Sequence, residues 1–423
     1  MRKGIKRLLL VFVCLAMCFV MTSCDILSLL YGSGDDDIDE TSSTAVLEDE
    51  SSQPMEDKPS GDSIINNIVI EGGTSDVAYA INSSLRSVVS VYCNFEGTLG
   101  SSTSAGSGVI YELDGETGSA FIITNYHVVY SSSAKTSNKI SDDIFLLLYG
   151  MEYTDYAVPA KYVGGSMNYD IAVLYVENSS VLKNAYDRGS VCEATVANSD
   201  DIVVGETTIA IGNPEMYGIS ATTGIVSVDS EHIDMKASDG TTTVSFRVIR
   251  TDTAVNSGNS GGGLFNHKGE LIGIVNAKIS SSDVENIGYA IPSNVARAIA
   301  DNIIYYCFNK KCETVMRGLL GVTVQTASVY TEYDAEKGIM RKYEQTKIKS
   351  VNADGLAYGI LKENDIVKSI KIGDKKIEIT RQYHLIDAML DVRVGDTVIL
   401  EIERNGEAKT VSTTITEGCL APY

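Results

Sequence analysis

The feature that most constrains the fold is a long series of short apolar or alternating segments that begins near Asn82. Glycine, serine, asparagine and aspartate separate these segments, as in "GSGVIYEL", "SAFIITN", "DIAVLYV", "TTIAIGN" and "ELIGIVNAKI". Alternating and short continuous apolar segments of this length are typical of β-strands. Because no helical pattern interrupts the series, it predicts a β-barrel or a β-sandwich.

Two further patterns follow the strands. The segment from Pro292 to Phe308 spaces its apolar residues at three and four, which predicts an amphipathic helix. The chain after "RGLLGVTVQT" predicts a separate α+β unit, with strands in "KIKSV" and "DIVKSIKIGDKKIEI", a short helix in "LAYGIL" and another in "YHLIDAMLDV". Asn405-Gly406 predicts a hairpin turn near its end. A chain of 423 residues is long enough for two domains and a tether.

The start of the chain, "MRKGIKRLLLVFVCLAMCFVMTSC", combines basic residues, an uncharged apolar run and small residues before Cys24. This layout is typical of a secretory signal, and the run is short for a membrane-spanning helix. Its end resembles a bacterial lipobox, with Met21 where leucine is more usual. The resemblance implies a lipoprotein signal peptide over residues 1–23 and a lipidated Cys24 that anchors the exported protein to a membrane of the bacterial cell envelope. An uncleaved signal anchor is the alternative.

The charge of the chain is strongly negative, and much of it lies in one segment. With 34 basic and 56 acidic residues the formal net charge is −22, which argues against nucleic acid as a partner. Residues 24–76 are rich in Asp, Glu, Ser and Thr and have no regular apolar period. We expect them to form an acidic, disordered linker.

Cysteines and histidines give no indication of a metal site. The chain has eight cysteines and four histidines, with no CxxC pair and no Cys/His grouping at zinc spacing. We therefore expect neither a metal nor another cofactor. Cys307 and Cys312, in "CFNKKC", could form a disulfide in an oxidising compartment or remain thiols, and the sequence leaves this open.

The stretch "NSGNSGGGLF" places Ser260 among small residues, with Gly258 before it and three glycines after it. A flexible turn is one interpretation, since glycine and serine are common turn formers. The other is a nucleophile whose neighbouring backbone N–H groups must be accessible to a substrate. The motif alone does not decide between them.

A serine nucleophile needs a base, usually a histidine oriented by a carboxylate. His127 follows the strand-like "FIITN" and is the best candidate for the base. His232 and His267 lie in polar, turn-like surroundings, and His384 belongs to the second unit.

For the orienting carboxylate we choose Asp170, which precedes the strongly apolar "IAVLYV". Asp155 competes, but it precedes a less apolar segment. The order His127, Asp170, Ser260 is one of the orders in which catalytic triads occur on unrelated folds.

Several segments together resemble a known family. "TNYHVV", "YDIAVL", "TDTAVNSGNSGGGLFN", "GELIGIVNAKI" and "IGYAIPSN" resemble, in this order, the protease domain of the HtrA/Deg family of trypsin-like serine proteases. "RGLLGV" and "GLAYGILKENDIVKSI" are similar to the PDZ domain that follows it in that family. The resemblance implies a mainly β fold, with a chymotrypsin-like double β-barrel protease domain over residues 77–312 and an α+β PDZ domain over 313–423.

The resemblance also implies roles for the candidate residues. Ser260 would attack a peptide carbonyl, His127 would take its proton, and Asp170 would fix the imidazole tautomer. The backbone N–H groups of Gly258, Asn259 and Ser260 would form an oxyanion hole. We expect the glycines around Ser260 to keep side chains away from the substrate carbonyl.

Two binding regions follow from the same resemblance. Val275, Asn276 and Ala277 would form an edge strand that binds the substrate main chain, next to an uncharged S1 pocket; a plain barrel strand is the alternative. In the second unit, the amides of Leu319, Leu320 and Gly321 would bind the C-terminal carboxylate of a peptide. Here the alternative is a module that only positions the protease.

The expected partners are unfolded or C-terminally exposed polypeptides, together with the membrane through the lipidated N-terminus. Members of the family commonly form homotrimers. A catalytically silent chaperone or adaptor is the main alternative function, and a protease acting on one specific regulator would share the chemistry. An intact set of His127, Asp170 and Ser260 favours an enzyme.

Overall fold

The structure is a computed structural model that describes residues 76–97, 100–151, 154–214, 217–277, 287–311 and 315–422. The predicted signal peptide, Cys24, nearly all of the acidic linker and Cys312 lie outside these residues. Within the described ranges, no helix is both long and apolar enough to cross a membrane.

The first half of the described chain closes into a six-stranded antiparallel barrel. Its strands are ordered β1-β2-β3-β6-β5-β4, and β4 pairs back onto β1. Closure leaves no strand edge unpaired, which explains how so many short strands form without covering helices. The strands are β1 (Val88–Gly97), β2 (Gly100–Asp114), β3 (Ser119–Thr124), β4 (Asp143–Leu148), β5 (Val158–Ser166) and β6 (Ile171–Val176), with helices α1 (Asp76–Leu85), α2 (Tyr126–Val129) and α3 (Ser180–Asp187).

A second closed barrel of six strands follows, in the order β10-β11-β12-β9-β8-β7. Its last strand leads directly into the predicted amphipathic helix, which begins after Pro292 and ends in a π-helical turn, Ile304–Asn309. The elements are β7 (Thr207–Gly212), β8 (Ser220–Lys236), β9 (Thr243–Thr251), β10 (Gly263–Phe265), β11 (Leu271–Val275), β12 (Gly288–Pro292) and α4 (Ser293–Ile303).

The cores of the barrels consist of the apolar residues that mark the strands in the sequence. Ile110, Ile122 and Leu174 are fully buried in the first barrel, and Ile211 and Phe265 in the second. Each side chain of this size contributes roughly 1.5–3 kcal/mol to folding when it is removed from water. The fold class expected from the sequence, mainly β with two barrels, is confirmed.

The C-terminal unit is a separate sheet with one short helix. Its strands are ordered β14-β15-β16-β18-β19, with β17 paired to β16 and a small sheet of β13 and β20 beside them. The elements are β13 (Met316–Gly318), β14 (Val322–Asp334), β15 (Ile339–Val351), β16 (Ile366–Ile372), β17 (Lys375–Glu378), α5 (Gln382–Ala388), β18 (Thr397–Arg404), β19 (Glu407–Thr414) and β20 (Leu420–Pro422).

Two local predictions in this unit meet different outcomes. Asn405 and Gly406 have φ values of 56° and 81°, so the predicted tight hairpin turn between β18 and β19 is confirmed. The helix predicted in "LAYGIL" is wrong, because residues 356–361 form turns. Gly359 has a φ of 77° there, which a right-handed helix cannot accommodate.

Buried charged side chains join the C-terminal unit to the second barrel. Arg247 of β9 lies 2.7 Å from Asp387 of α5 and 3.1 Å from Asp200, and its own side chain is only 2% exposed. Its guanidinium also lies 3.9 Å from the ring centroid of Tyr383. In addition, Asn302 of α4 donates a hydrogen bond to the carbonyl of Leu390. The unit is therefore held against the barrel by specific polar contacts.

Candidate active site

Strand pairing brings His127 and Asp170 to the same end of the first barrel. Strands β3 and β6 pair antiparallel, with Thr124 opposite Ala172, so the residues just after β3 meet the residues just before β6. The carbonyl of Asp170 accepts hydrogen bonds from the backbone N–H of Tyr126 and from the side-chain amide of Asn125. The short segment that carries His127 is thereby held against β6.

The Asp170 carboxylate then orients the His127 ring. One of its oxygens accepts the backbone N–H of His127 at 2.9 Å, and the other lies 2.6 Å from Nδ1 of the ring. Asp170 has a φ of 54°, in the left-handed region that aspartate tolerates better than most residues. With Nδ1 facing the carboxylate, the opposite nitrogen, Nε2, is left to act as a base.

Asn276 is a third partner of this carboxylate, and its role was missed in the sequence. Its side-chain amide donates to Asp170 at 2.8 Å, on the oxygen that also faces His127. Asp170 is 3% exposed and Asn276 is 1% exposed, so this contact is shielded from water. The sequence places Asn276 at a strand end but does not indicate where its side chain points.

The competing candidates lie elsewhere. Asp155 is exposed in a 3-10 turn and His232 is exposed on β8. His267 is exposed in a turn, and His384 of α5 has its Nδ1 near the carbonyl of Glu378. The structure therefore brings Asp170, not Asp155, to His127.

Ser260 lies on the nucleophile loop, residues 252–262, which connects β9 to β10. It is 5% exposed, and its carbonyl accepts the backbone N–H of Ser107 of the first barrel at 2.8 Å. Its hydroxyl accepts the backbone N–H of Ala277 at 3.2 Å. No hydrogen bond joins Ser260 to His127, both of which are described residues.

Two of the three predicted oxyanion donors are available. Among the described residues, the backbone N–H groups of Gly258 and Ser260 donate to no acceptor. The N–H of Asn259 donates to the carbonyl of Asn256 at 3.0 Å, so it is not available to a substrate in this structure. Gly258 has a φ of 95°, a conformation that glycine adopts without strain.

The three glycines after Ser260 have a different purpose from the one expected. Gly261, Gly262 and Gly263 are all buried, so they do not line an open path to the carbonyl. A Cβ on Gly261 would overlap the carbonyl of Ser107 and the hydroxyl of Thr124. Gly261 is therefore required where the backbones of the two barrels approach each other closely. A Cβ on Gly262 would overlap the carbonyl of Ile211, and one on Gly263 would overlap the ring of Phe265, both within the second barrel.

The predicted substrate strand also needs a correction. The N–H of Val275 donates to the carbonyl of Gly262, and its own carbonyl accepts the N–H of Gly261. Val275 is fully buried, so it cannot offer its main chain to a substrate. Ala277 is partly exposed, and its backbone N–H donates to the Ser260 hydroxyl.

In the C-terminal unit, residues 319–321 form a loop before β14, which we call the carboxylate loop after the ligand predicted for it from the sequence. The N–H of Leu319 donates to the carbonyl of Cys419 and is therefore occupied. The N–H groups of Leu320 and Gly321 donate to no acceptor in the described part of the chain. Gly321 has a φ of 72°, which turns these amides out of the strand direction.

Metal ligands do not cluster at either loop. In the described ranges, no group of three or more His, Cys, Asp or Glu side chains could hold a metal ion.

Two closed six-stranded barrels, with an Asp-oriented histidine and a serine loop at their junction, define the trypsin-like class of fold. The family model for the trypsin-like peptidase domain matches residues 106–274. The chain is 36% identical over 311 residues to a serine protease Do-like HtrA of Bacillus subtilis, covering 72% of this chain and 62% of that protein. It is also 32% identical over 389 residues to a serine protease Do-like HtrA of Lactococcus lactis, covering 82% and 84%.

Solved structures agree with these sequence relatives. An HtrA-type protease AlgW with a tripeptide superposes with a TM-score of 0.51 at 26% identity, covering 83% of this chain and 98% of that one. The chain belongs to the HtrA family. It spans 62% of the length of each of two Bacillus subtilis relatives.

Proposed function

We propose that this chain is an extracytoplasmic serine endopeptidase that cleaves unfolded or damaged polypeptides, or a regulatory substrate, with His127, Asp170 and Ser260 as its catalytic residues. The observation that carries the proposal is the convergence of an Asp-oriented histidine and a serine beside two available backbone N–H groups. Trypsin-like residues 106–274 contain all of these groups.

The reaction begins when a peptide carbonyl enters the barrel junction. Ser260 Oγ bonds to the carbonyl carbon while its proton passes to Nε2 of His127. The N–H groups of Gly258 and Ser260 donate to the oxyanion that forms, in a site largely shielded from water. His127 then protonates the leaving amine as the C–N bond breaks, and water hydrolyses the acyl-enzyme by the same steps.

The decisive experiment is cleavage of casein together with fluorophosphonate labelling of the full chain. We expect Ser260→Ala and His127→Ala to abolish cleavage, and Asp170→Asn to reduce turnover by roughly ten-thousandfold, the loss that such a change causes when the aspartate holds the tautomer. Ser257→Ala, an exposed serine in the same loop, is the matched control and should retain full activity. Undiminished cleavage by the Ser260 variant would show that another group is the nucleophile.

A catalytically silent chaperone or adaptor is the second candidate. It is favoured only by the absence of a hydrogen bond between the described residues His127 and Ser260. Apo proteases often form this bond only with substrate, so the observation is weak support. Protection of a folding substrate by the Ser260→Ala variant, with no labelling of the wild-type chain, would favour the chaperone.

We further propose that the C-terminal unit, residues 313–423, is a PDZ domain that binds exposed C-termini. The support is the pair of available amides at Leu320 and Gly321, at the start of the edge strand β14. A carboxylate gains from several backbone N–H donors, and the peptide would extend the sheet along β14.

The location is proposed from the N-terminal sequence. A signal peptide over residues 1–23 and a lipidated Cys24 would anchor the chain outside the cytoplasm, with residues 24–76 as the tether. A relative in Rickettsia prowazekii is described as a probable periplasmic serine endoprotease, which agrees with an exported location. Mass spectrometry of the mature N-terminus tests this, since any first residue other than a modified Cys24 contradicts it. A homotrimer stays a prediction.

A further inference from the structure

Ser107 of β2 uses all of its polar atoms at the junction of the two barrels. Its N–H donates to the carbonyl of Ser260 at 2.8 Å, and its hydroxyl donates to the carbonyl of Gly258 at 2.7 Å. The hydroxyl oxygen accepts the N–H of Asn213 at 2.8 Å, and the Ser107 carbonyl accepts the hydroxyl of Thr124 at 2.7 Å. The residue is fully buried.

These contacts hold the peptide planes on both sides of the candidate oxyanion donor. The plane between Gly258 and Asn259 is held at its carbonyl by Ser107 and at its N–H by Asn256. The plane that follows Ser260 is held at its carbonyl by the Ser107 N–H. The Ser260 N–H belongs to the plane between these two. The carbonyl of that plane, from Asn259, accepts the N–H of Gly262 at 2.9 Å, and the two flanking planes restrict its direction further.

The hydroxyl of Ser107 is the part of this arrangement that a point mutation can remove. Glycine at position 258 permits the neighbouring peptide planes to rotate at little cost. If the Gly258 carbonyl rotated toward the substrate, its oxygen would face the developing negative charge in place of the N–H groups. Because Asn213 occupies an acceptor position of the Ser107 oxygen, the hydroxyl proton is directed toward Gly258.

We propose that Ser107 is a positioning residue for the oxyanion hole, through which the first barrel sets the direction of the Gly258 and Ser260 amides on the second. The proposal rests on the proposed serine-protease function. It predicts that Ser107 acts on the transition state and not on substrate binding, because the hydroxyl contacts a backbone carbonyl of the loop and not the substrate.

Ser90 of β1 offers a matched control. It is the cross-strand partner of Ser107, it is equally buried, and its hydroxyl has no hydrogen-bond partner among the described residues. Ser90→Ala and Ser107→Ala therefore remove the same atom from neighbouring positions in the barrel wall, but only the second removes a contact to the nucleophile loop.

The test is steady-state cleavage of a chromogenic peptide by the full-length protein, with binding of a peptide boronate measured alongside it. For Ser107→Ala we expect kcat to fall by about tenfold to a hundredfold, somewhat less than removing an oxyanion donor itself. We expect KM to stay within about twofold, because uniform binding is untouched, and boronate affinity to fall in parallel with kcat. Ser90→Ala should match the wild type.

Ser107→Cys keeps the shape of the side chain with a weaker hydrogen bond, and we expect an intermediate kcat. This variant also keeps the test valid if Ser107→Ala fails to fold. An unchanged kcat in both Ser107 variants overturns the proposal. It is also overturned if KM rises by as much as kcat falls and boronate affinity shows no selective loss. If wild-type protein is not labelled by fluorophosphonate, the protease function fails first, which is a separate outcome.

Discussion

The nucleophile loop and the carboxylate loop lie in different parts of the molecule but share two backbone features. Each offers two backbone N–H groups that have no acceptor among the described residues, at Gly258 and Ser260 in one and at Leu320 and Gly321 in the other. Each also contains a glycine with positive φ, at 95° and 72° respectively. Both are therefore suited to bind a negatively charged oxygen.

The loops differ in what holds them. The nucleophile loop is held by a buried side chain, Ser107, from the other barrel. Among the described residues, the hydrogen bonds that hold the carboxylate loop are main-chain ones, in which the carbonyls of Leu320 and Gly321 accept the N–H groups of Ala357 and Asn352. A peptide carboxylate carries its charge before it binds, whereas an oxyanion exists only during the reaction. We infer that binding the oxyanion needs donors that are held more rigidly in advance.

The largest effect expected from this comparison is at Gly261. Its φ is 83° and a Cβ would overlap the Ser107 carbonyl, so Gly261→Ala should displace the nucleophile loop from the first barrel. We expect fluorophosphonate labelling to slow by about a hundredfold or more, the scale of losing an oxyanion donor. Gly240→Ala, with a φ of 73° and open space around it, is the control and should label normally. Normal labelling of Gly261→Ala would mean that the loop tolerates this displacement.

The next effect concerns the carboxylate loop. A peptide ending in a free apolar residue should bind the full-length Ser260→Ala protein about tenfold more tightly or better than its C-terminal amide, because hydrogen bonds to a charged group contribute about 1.5–3 kcal/mol. Isothermal titration calorimetry measures both affinities. Equal affinities would show that the loop does not bind a carboxylate, and the C-terminal unit would then serve as a positioning module.

Gly321→Ala separates the two loops. The glycine has a φ of 72° and packs directly against Gly355, so a side chain should distort the carboxylate loop. We expect the preference for the acid peptide to be lost while Ser260 labels at the wild-type rate. Gly373→Ala, in the same unit with a φ of 57° and open space, should retain the preference. Loss of labelling in Gly321→Ala would show that the loops are coupled.

The smallest effect is a pH dependence at the contact between the C-terminal unit and the second barrel. Burial raises the pKa of Asp387 to about 6, although Arg247 at 2.7 Å opposes the rise. Asp387 therefore binds its proton at a higher pH in the folded protein than in the unfolded chain. The free energy of unfolding consequently falls as the pH rises from about 4 to about 6. In chemical denaturation, Asp387→Asn should lack this component. If the stability of the variant and of the wild type changes equally with pH, the pH dependence belongs to other groups.

The sequence by itself determined those features that depend on neighbours along the chain. Short apolar runs such as Ile171–Val176 predicted strands, and Asn405-Gly406 predicted its hairpin turn. The motifs around His127, Asp170 and Ser260 predicted a catalytic triad, because each lies just outside a recognisable strand. The structure places Asp170 against His127.

Only the tertiary structure decided how these groups are oriented. The contacts of Asn276 with Asp170 and of Ser107 with Gly258 span 106 and 151 residues, and nothing in their local sequence indicates them. The local sequence also does not indicate the hydrogen bonds of the Asn259 amide and of the Val275 main chain, or the burial of the glycines after Ser260. Strand periodicity specifies which face of a strand is buried, whereas the direction of a hydrogen bond depends on which distant strand closes the barrel beside it.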